Sequence, residues 1–406
     1  MKTILATTYA VNPYKGSEDG MGWNFICQIA RFNKVIAITR ENNREAIEQY
    51  MLENPDKIYR KIEFHYFDLP YWMRFWKRGG RGAMLYFWMW QRAIPGFVAR
   101  QNIQFDIAHN LNFHNDWTPS YLWKLGKPFV WGPVGHHPAI PSQYLRPYNK
   151  LQVVKDRLTW AIKQLFWRFS GDLKRTASNA QHVLCMNGSV SSVMNINEQS
   201  HSIMPSVATG DFGHNPEGRA RKFTLISAGR LVPLKGFDLC INSFASFLSK
   251  LDEETKASCE LQIVGSGPEE ARYKQLASDL GIAAYIRFVP WMERSELMER
   301  MKEASAFVFP SHEGAGMIVA EALSFGVPVV CLDNSGPGEF VDESCGIRVP
   351  EQDYKGTVEG LSEGIFQLFS DQGRWKAMSQ KARERFEQYF HWDRRGEALQ
   401  AIYQQL

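Results

Sequence analysis

The chain has 406 residues, 44% of them apolar and 22% charged, with a net charge of +4. That length suggests two or three domains and a large core without staples. The composition excludes a disordered chain, and the charge is too mild to argue for nucleic acid by itself. The cysteines Cys27, Cys185, Cys240, Cys259, Cys331 and Cys345 form no C-x-x-C pair. Neither a disulfide framework nor a zinc site is expected, and a reduced cytosolic compartment fits. No stretch reads as a transmembrane helix, and the start, MKTILATTYA, lacks the long apolar run of a signal peptide. It reads as a buried first strand.

Thr3–Tyr9 and Lys34–Thr39 read as strands, with a helix over Gly22–Phe32 between them. Lys61–Phe67, Ile107–Asn110 and Pro128–Trp131 continue the strand series. After a polar stretch near Asn187–Ser206 the pattern restarts. Phe223–Ala228 is a strand and Phe237–Lys250 a helix; Leu261–Val264 is a strand and Pro268–Leu280 a helix. Ala306–Phe309 and Pro328–Leu332 are strands flanking a helix over Met317–Phe325. A long helix over Gly373–Tyr389 follows. The last stretch, FHWDRRGEALQAIYQQL, repeats Ala398, Ile402 and Leu406 at i, i+4. Short uninterrupted apolar strands alternating with helices mean parallel sheets covered on both faces. The expectation is an α/β chain of two doubly wound domains, 1–205 and 206–385, with residues 386–406 a helix returning to the first.

The segment PSHEGAGMIVAEALSFGVPVV, from Pro310, places Glu313 after a strand and before Gly314 and Gly316. These glycines open a helix that carries Glu321. Free N–H groups at a helix N-terminus suit a phosphate, and the two carboxylates suit sugar hydroxyls. The bland alternative is a strand–turn–helix whose acids merely favour the helix N-terminus. In SAGRLVPLKGFD, Arg230 and Lys235 follow a strand, where two cations are well placed for a diphosphate. QIVGSGPEE supplies another glycine turn at Gly265 and Gly267.

In this order the segments resemble the second domain of a GT-B glycosyltransferase of the large retaining family 4. That family's pattern is G-R-x-x-x-x-K-G, V-G-x-G-P, E-x-F-G-x4-E-A and G-x-P-V-V. Gly229, Arg230, Lys235, Gly236, Val264, Gly265, Gly267, Pro268, Glu313, Gly316, Glu321, Ala322, Gly326, Pro328, Val329 and Val330 match it. Ala315 departs from it, standing where the family usually has Phe. The resemblance implies two Rossmann-like domains facing a cleft. It implies that Arg230 and Lys235 bind the diphosphate and stabilise the departing nucleotide, and that Glu313 binds the donor sugar. The backbone of Gly314, Ala315, Gly316, Met317 and Ile318 would approach sugar and phosphate. Glu321 would hold the ribose, and Val289–Trp291 would meet the base. It also implies a UDP- or GDP-hexose co-substrate, no metal and no other cofactor.

In the N-terminal half, NPYKGSEDGMGWNF has G-x-x-x-G-x-G, the wrong spacing for a dinucleotide fingerprint. It resembles the G-S-E-x-G-x-G-W loop of a bacterial subset of family 4, in which Gly20 and Gly22 let backbone approach donor phosphates or acceptor. The same subset places a histidine where His109 ends a strand here, as a donor to a sugar hydroxyl or an aid to the leaving group. Lone histidines are more often structural, and His114 is the reserve. WGPVGHHP resembles the subset's G-P-V-G-G-G, with His136 and His137 replacing small residues. They contact the acceptor or sit on a surface loop.

The runs from Tyr71 to Arg100 and from Lys150 to Arg175 mix aromatics with Arg and Lys. Such faces lie at an anionic bilayer or fill a core with the cations covering it. The resulting expectation is a hexosyltransferase on the cytosolic side, peripheral on the plasma membrane. It would act on a glycan or lipid-linked acceptor in envelope polysaccharide or lipopolysaccharide synthesis. A nucleotide-sugar-binding partner without transferase activity is the rival. A nicotinamide oxidoreductase is disfavoured because no G-x-G-x-x-G follows the first strand.

Overall fold

The computed structural model describes residues 1–79, 81–111, 115–196, 200–205, 208–214 and 222–406. They form two compact units. The first comprises Met1–His136, Thr159–Ser206 and Trp392–Leu406; the second comprises His137–Leu158 and Val207–His391.

The first unit holds seven parallel strands: β1 (Thr3–Thr7), β2 (Lys34–Thr39), β3 (Ile62–Tyr66), β4 (Ile107–Asn110), β5 (Phe129–Val134), β6 (His182–Cys185) and β7 (His201–Ile203). Their order is β3-β2-β1-β4-β5-β6-β7. The second unit holds β8 (Phe223–Ala228), β9 (Cys259–Val264), β10 (Ile286–Val289), β11 (Ala306–Phe309), β12 (Val329–Asp333) and β13 (Gly346–Pro350), ordered β10-β9-β8-β11-β12-β13. Every residue of β4, β5 and β11 is buried, as strands covered by helices on both faces must be. In each sheet the order reverses beside the first strand, between β1 and β4 and between β8 and β11. Doubly wound sheets open their ligand crevice at the carboxyl ends of such a pair.

Much of the aromatic run from Tyr71 is core. In the helix Ala83–Arg100, Tyr86, Phe87, Trp90, Ile94 and Val98 are buried against the first sheet. Tyr71, Trp72 and Phe75, before it, are exposed. The last helix, Trp392–Gln405, belongs to the first unit. Lys2 Nζ donates to Tyr403 O at 2.7 Å, and Arg31 pairs with Asp393 at 2.7 Å. Its buried side chains are Trp392, Arg395, Leu399 and Tyr403 rather than Ala398, Ile402 and Leu406. The buried face follows the large side chains of Trp392 and Tyr403, which carry more apolar surface than Ala398.

Residues 137–158 are a strap on the second unit. Ile140, Tyr144, Leu145 and Tyr148 enter its core. The Tyr144 hydroxyl bonds Gln352 O (2.9 Å) and Thr357 Oγ1 (2.8 Å), and that of Tyr148 donates to Asp238 Oδ1 (2.6 Å).

Candidate functional site

Two loops leave the carboxyl ends of β8 and β11, the adjacent strands at the second switch point. The first carries Arg230 and Lys235, the second Glu313. Parallel strands bring both loops to one edge of the sheet, although 78 residues separate Lys235 from Glu313. Lys235 Nζ donates to Glu313 Oε2 at 2.7 Å, with side chains 16% and 20% exposed. The ammonium also lies 5.0 Å from the centroid of the Phe309 ring at the end of β11. Arg230 is exposed, and its guanidinium makes no hydrogen bond or ion pair with the described residues. Together the two loops carry two cations, Arg230 and Lys235, and one carboxylate, Glu313.

The turn after β11 is held from several sides. Ser311 Oγ donates to Leu234 O (3.2 Å) and accepts from the Glu313 N–H (3.2 Å). Asn334 Nδ2 donates to Ser311 O at 2.9 Å. The Gly314 N–H donates to Nδ1 of His137 at 3.0 Å. Gly314 is buried and Ala315 half-buried. The helix Met317–Ser324 then starts after Gly316, with Met317 and Ile318 half-buried in its first turn. The N-terminal N–H groups of that helix are a ready anion site.

Glu321 lies in the same helix, buried, and bonds Arg294, whose Nε donates to Oε1 at 2.8 Å. Arg294 also donates to Thr209 Oγ1 at 3.1 Å. The sequence reading missed Arg294, which sits alone among polar residues with no motif around it. A carboxylate so buried demands a cation or its equivalent, and that demand was the only available signal.

Gly265 and Gly267 serve backbone packing first. A Cβ at Gly265 would stand 2.0 Å from Gly229 O, and one at Gly267 2.4 Å from Leu231 O. Their loop pairs with the Arg230 loop through Leu231 N–H to Ser266 O at 3.0 Å. Val289 ends β10, half-buried, and its carbonyl accepts from the Gly265 N–H at 2.9 Å. Trp291 just beyond is 69% exposed, a free aromatic face at the same edge of the sheet.

The candidates of the first unit sit differently. The helix expected from Gly22 begins at Ser17, so Gly20 and Gly22 lie in its first turns rather than in a loop. A Cβ at Gly20 would meet Lys15 O at 2.1 Å, which explains that glycine by packing. His109 is fully buried on β4. One ring nitrogen bonds the Tyr403 hydroxyl at 2.5 Å and the other Gly132 O at 2.8 Å. Burial pushes its pKa down to about 3. The imidazole expected to reach a sugar hydroxyl is therefore a packed, neutral core group. His136 is no surface residue either: it is buried, with Nδ1 bonded to Asp116 Oδ2 at 2.5 Å. His114 lies outside the described residues. Among the described residues, no cluster of three or more His, Cys, Asp or Glu side chains could hold a metal ion.

Residues 214–385 match the family model described as Glycosyl transferases group 1. The chain is 30% identical over 183 residues to a GDP-mannose-dependent monoacylated alpha-(1-6)-phosphatidylinositol monomannoside mannosyltransferase of Corynebacterium glutamicum, covering 43% of this chain and 45% of that protein. It is 30% identical over 220 residues to a D-inositol 3-phosphate glycosyltransferase of Acidothermus cellulolyticus, covering 50% of this chain and 47% of that one. The chain thus spans about half the length of the curated relatives it matches. Among solved structures, Anabaena HepE in complex with UDP and glucose aligns over 100% of both chains, with TM-score 0.63 and 14% identity. WaaG, a glycosyltransferase involved in lipopolysaccharide biosynthesis, aligns over 97% of this chain and 99% of its own, with TM-score 0.60 and 15% identity. The chain therefore has the α/β fold of the GT-B glycosyltransferases, and its candidate site lies in the stretch that matches the group 1 family model.

Proposed function

We propose that the protein is a metal-independent, retaining hexosyltransferase of glycosyltransferase family 4. It takes a hexose from UDP or GDP and places it on a hydroxyl of a glycan or lipid-linked acceptor, in envelope polysaccharide or lipopolysaccharide synthesis. The observation that carries this reading is the Lys235–Glu313 pair, beside a helix N-terminus at the switch point of the second sheet. A relative named for GDP-mannose and a neighbour holding UDP support the donor class. Arg230 and Lys235 grip the diphosphate and Glu313 a sugar hydroxyl; Glu321 serves the ribose. The acceptor oxygen attacks the anomeric carbon on the face the phosphate leaves. The bond from carbon to phosphate oxygen breaks, and the acceptor proton passes to the departing diphosphate. The two cations act by stabilising the charge that grows there. Hexose transfer or donor hydrolysis from GDP-mannose or UDP-glucose, with chelator present, tests this. The reading expects turnover that disappears in Arg230→Ala/Lys235→Ala; turnover retained in that variant would overturn it.

The helix Lys150–Phe169 supports peripheral binding to an anionic bilayer. Among its described residues none is buried. Leu151, Val154, Leu158, Ile162, Leu165 and Phe169 are all exposed. At 3.6 residues per turn they share an arc of roughly 80° along about 30 Å of helix. Lys150, Lys155 and Arg168 border that stripe, exposed. The helix's lone acid, Asp156, lies on the other side and pairs with Arg157 at 3.4 Å. A second copy would set cation against cation, whereas lipid phosphates complement them. Sedimentation with anionic vesicles at low salt, weakened by Leu158→Glu/Leu165→Glu, is expected. Equal sedimentation of the variant would remove the helix from membrane binding.

A further inference from the structure

We infer that His137 is a positioning residue of the donor site: it fixes the Glu313–Gly316 turn by accepting the Gly314 N–H. This rests on the donor-site reading above and adds to it a residue that the family pattern does not supply, since small residues are usual at this place.

The geometry is specific. An N–H donor pointing at Nδ1 (3.0 Å) makes that nitrogen the acceptor. The proton of the neutral ring is then on Nε2. The imidazole thus takes up the Gly314 N–H and leaves the helix N-terminus from Gly316 onward to face a phosphate. It also restrains the residue next to Glu313, whose carboxylate is already tied to Lys235 at 2.7 Å. Lys235 therefore fixes the side chain of Glu313, and His137 fixes the backbone that bears it.

The strap that delivers His137 is itself rigid. Gln143 Nε2 donates to Gln352 O at 3.0 Å, and Arg157 donates to Ile140 O at 2.8 Å. Tyr144 packs its ring against His312 at 4.8 Å, and His312 is hydrogen-bonded to Glu351 at 2.8 Å. Ile140, Tyr144 and Tyr148 are buried in the core of the second unit. Residues far from the turn in sequence thus hold one ring nitrogen on one backbone N–H. Holding a group within a fraction of an ångström of its working place is how such contacts help turnover.

The test compares His137→Ala and His137→Asn with the parent protein. An Asn side-chain oxygen stands near the place of Nδ1 and can accept the same N–H. Affinities for GDP, UDP, GDP-mannose and UDP-glucose are measured by calorimetry, alongside donor hydrolysis and thermal unfolding. The inference expects His137→Ala to weaken the sugar nucleotide or slow its hydrolysis by about tenfold, one hydrogen bond's worth. Affinity for the free diphosphate should change less than threefold, and His137→Asn should recover most of the loss. Unchanged sugar-nucleotide binding and hydrolysis in His137→Ala would overturn it. So would equal losses for diphosphate and sugar nucleotide, or an Asn variant as poor as Ala. If the parent protein binds no nucleotide at all, the donor-site reading fails first and this inference falls with it.

Discussion

Gly336 offers the sharpest perturbation of the Glu313–Gly316 turn from outside it. The residue follows β12, and its N–H donates to Asn334 Oδ1 at 3.1 Å. A Cβ added there would lie 1.8 Å from Glu313 O and 2.9 Å from Glu313 C. Real Cβ contacts stay beyond 3.0 Å, so the backbones must part by about 1.2 Å, the difference of the two distances. The turn cannot simply retreat, because Lys235 and His137 hold it. Misplacing a binding group by about 1 Å costs on the order of 10²-fold in rate. Overpacking of this kind costs roughly 1–3 kcal/mol. At about 2 kcal/mol, the melting temperature of a domain of this size falls by about 4–8 °C. Gly336→Ala is therefore expected to lower kcat/KM for the sugar nucleotide about a hundredfold while remaining folded. Gly210→Ala, where an added Cβ meets nothing within 4 Å, is the matched control. Donor hydrolysis and thermal unfolding read both effects. Parental kcat/KM and melting temperature in Gly336→Ala would show that turnover does not depend on the placing of this turn.

Three further outcomes are expected. Lys235→Ala should lower kcat/KM by about 10²–10³-fold and stability by less than about 1 kcal/mol, since the pair is partly solvated; a normal rate would remove the lysine from the mechanism. Arg294→Ala strips a buried carboxylate of its partner. Because Arg294 is 44% exposed, the expected loss is about 1–2 kcal/mol, below the range for a fully buried pair; an unchanged urea midpoint would contradict the assignment. His109 should leave a signature in the pH dependence of stability. Unfolded, it takes a proton near pH 6.5; folded, only near 3. Its contribution is thus present above pH 6.5 and drains away as pH falls toward 3. The stability gap between the parent and His109→Gln should narrow by about 2 kcal/mol between pH 7.5 and pH 5, and a gap independent of pH would show that the ring titrates freely.

Much of the fold was legible because parallel strands buried on both faces leave uninterrupted apolar runs. β2, β4, β8 and β11 begin and end where those runs do. The approach of Lys235 to Glu313 was legible as motif order, although only strand adjacency brings the two together. Other features depend on tertiary packing that no local pattern carries. The first helix begins at Ser17 because Gly20 lets Lys15 pack against it, a contact invisible in a run of turn-like glycines. His109 ends a strand as expected, but its burial depends on Tyr403, 294 residues away. Arg294 was missed for the same reason, since it meets Glu321 across 27 residues with no motif of its own. His137 was singled out as a departure from the glycines of its resemblance. Its hydrogen bond to Gly314 required a strap whose grouping with the second unit is set by buried tyrosines.

A nucleotide-diphosphate site in the loops after β8 and β11 is probed by binding. The measurement is calorimetric titration with UDP, GDP and ADP, with and without chelator, on the parent protein and on Arg230→Ala/Lys235→Ala. Binding of one of these nucleotides is expected, unaffected by chelator and lost in the double variant. Binding of none of them, or binding that survives removal of both cations, would contradict such a site.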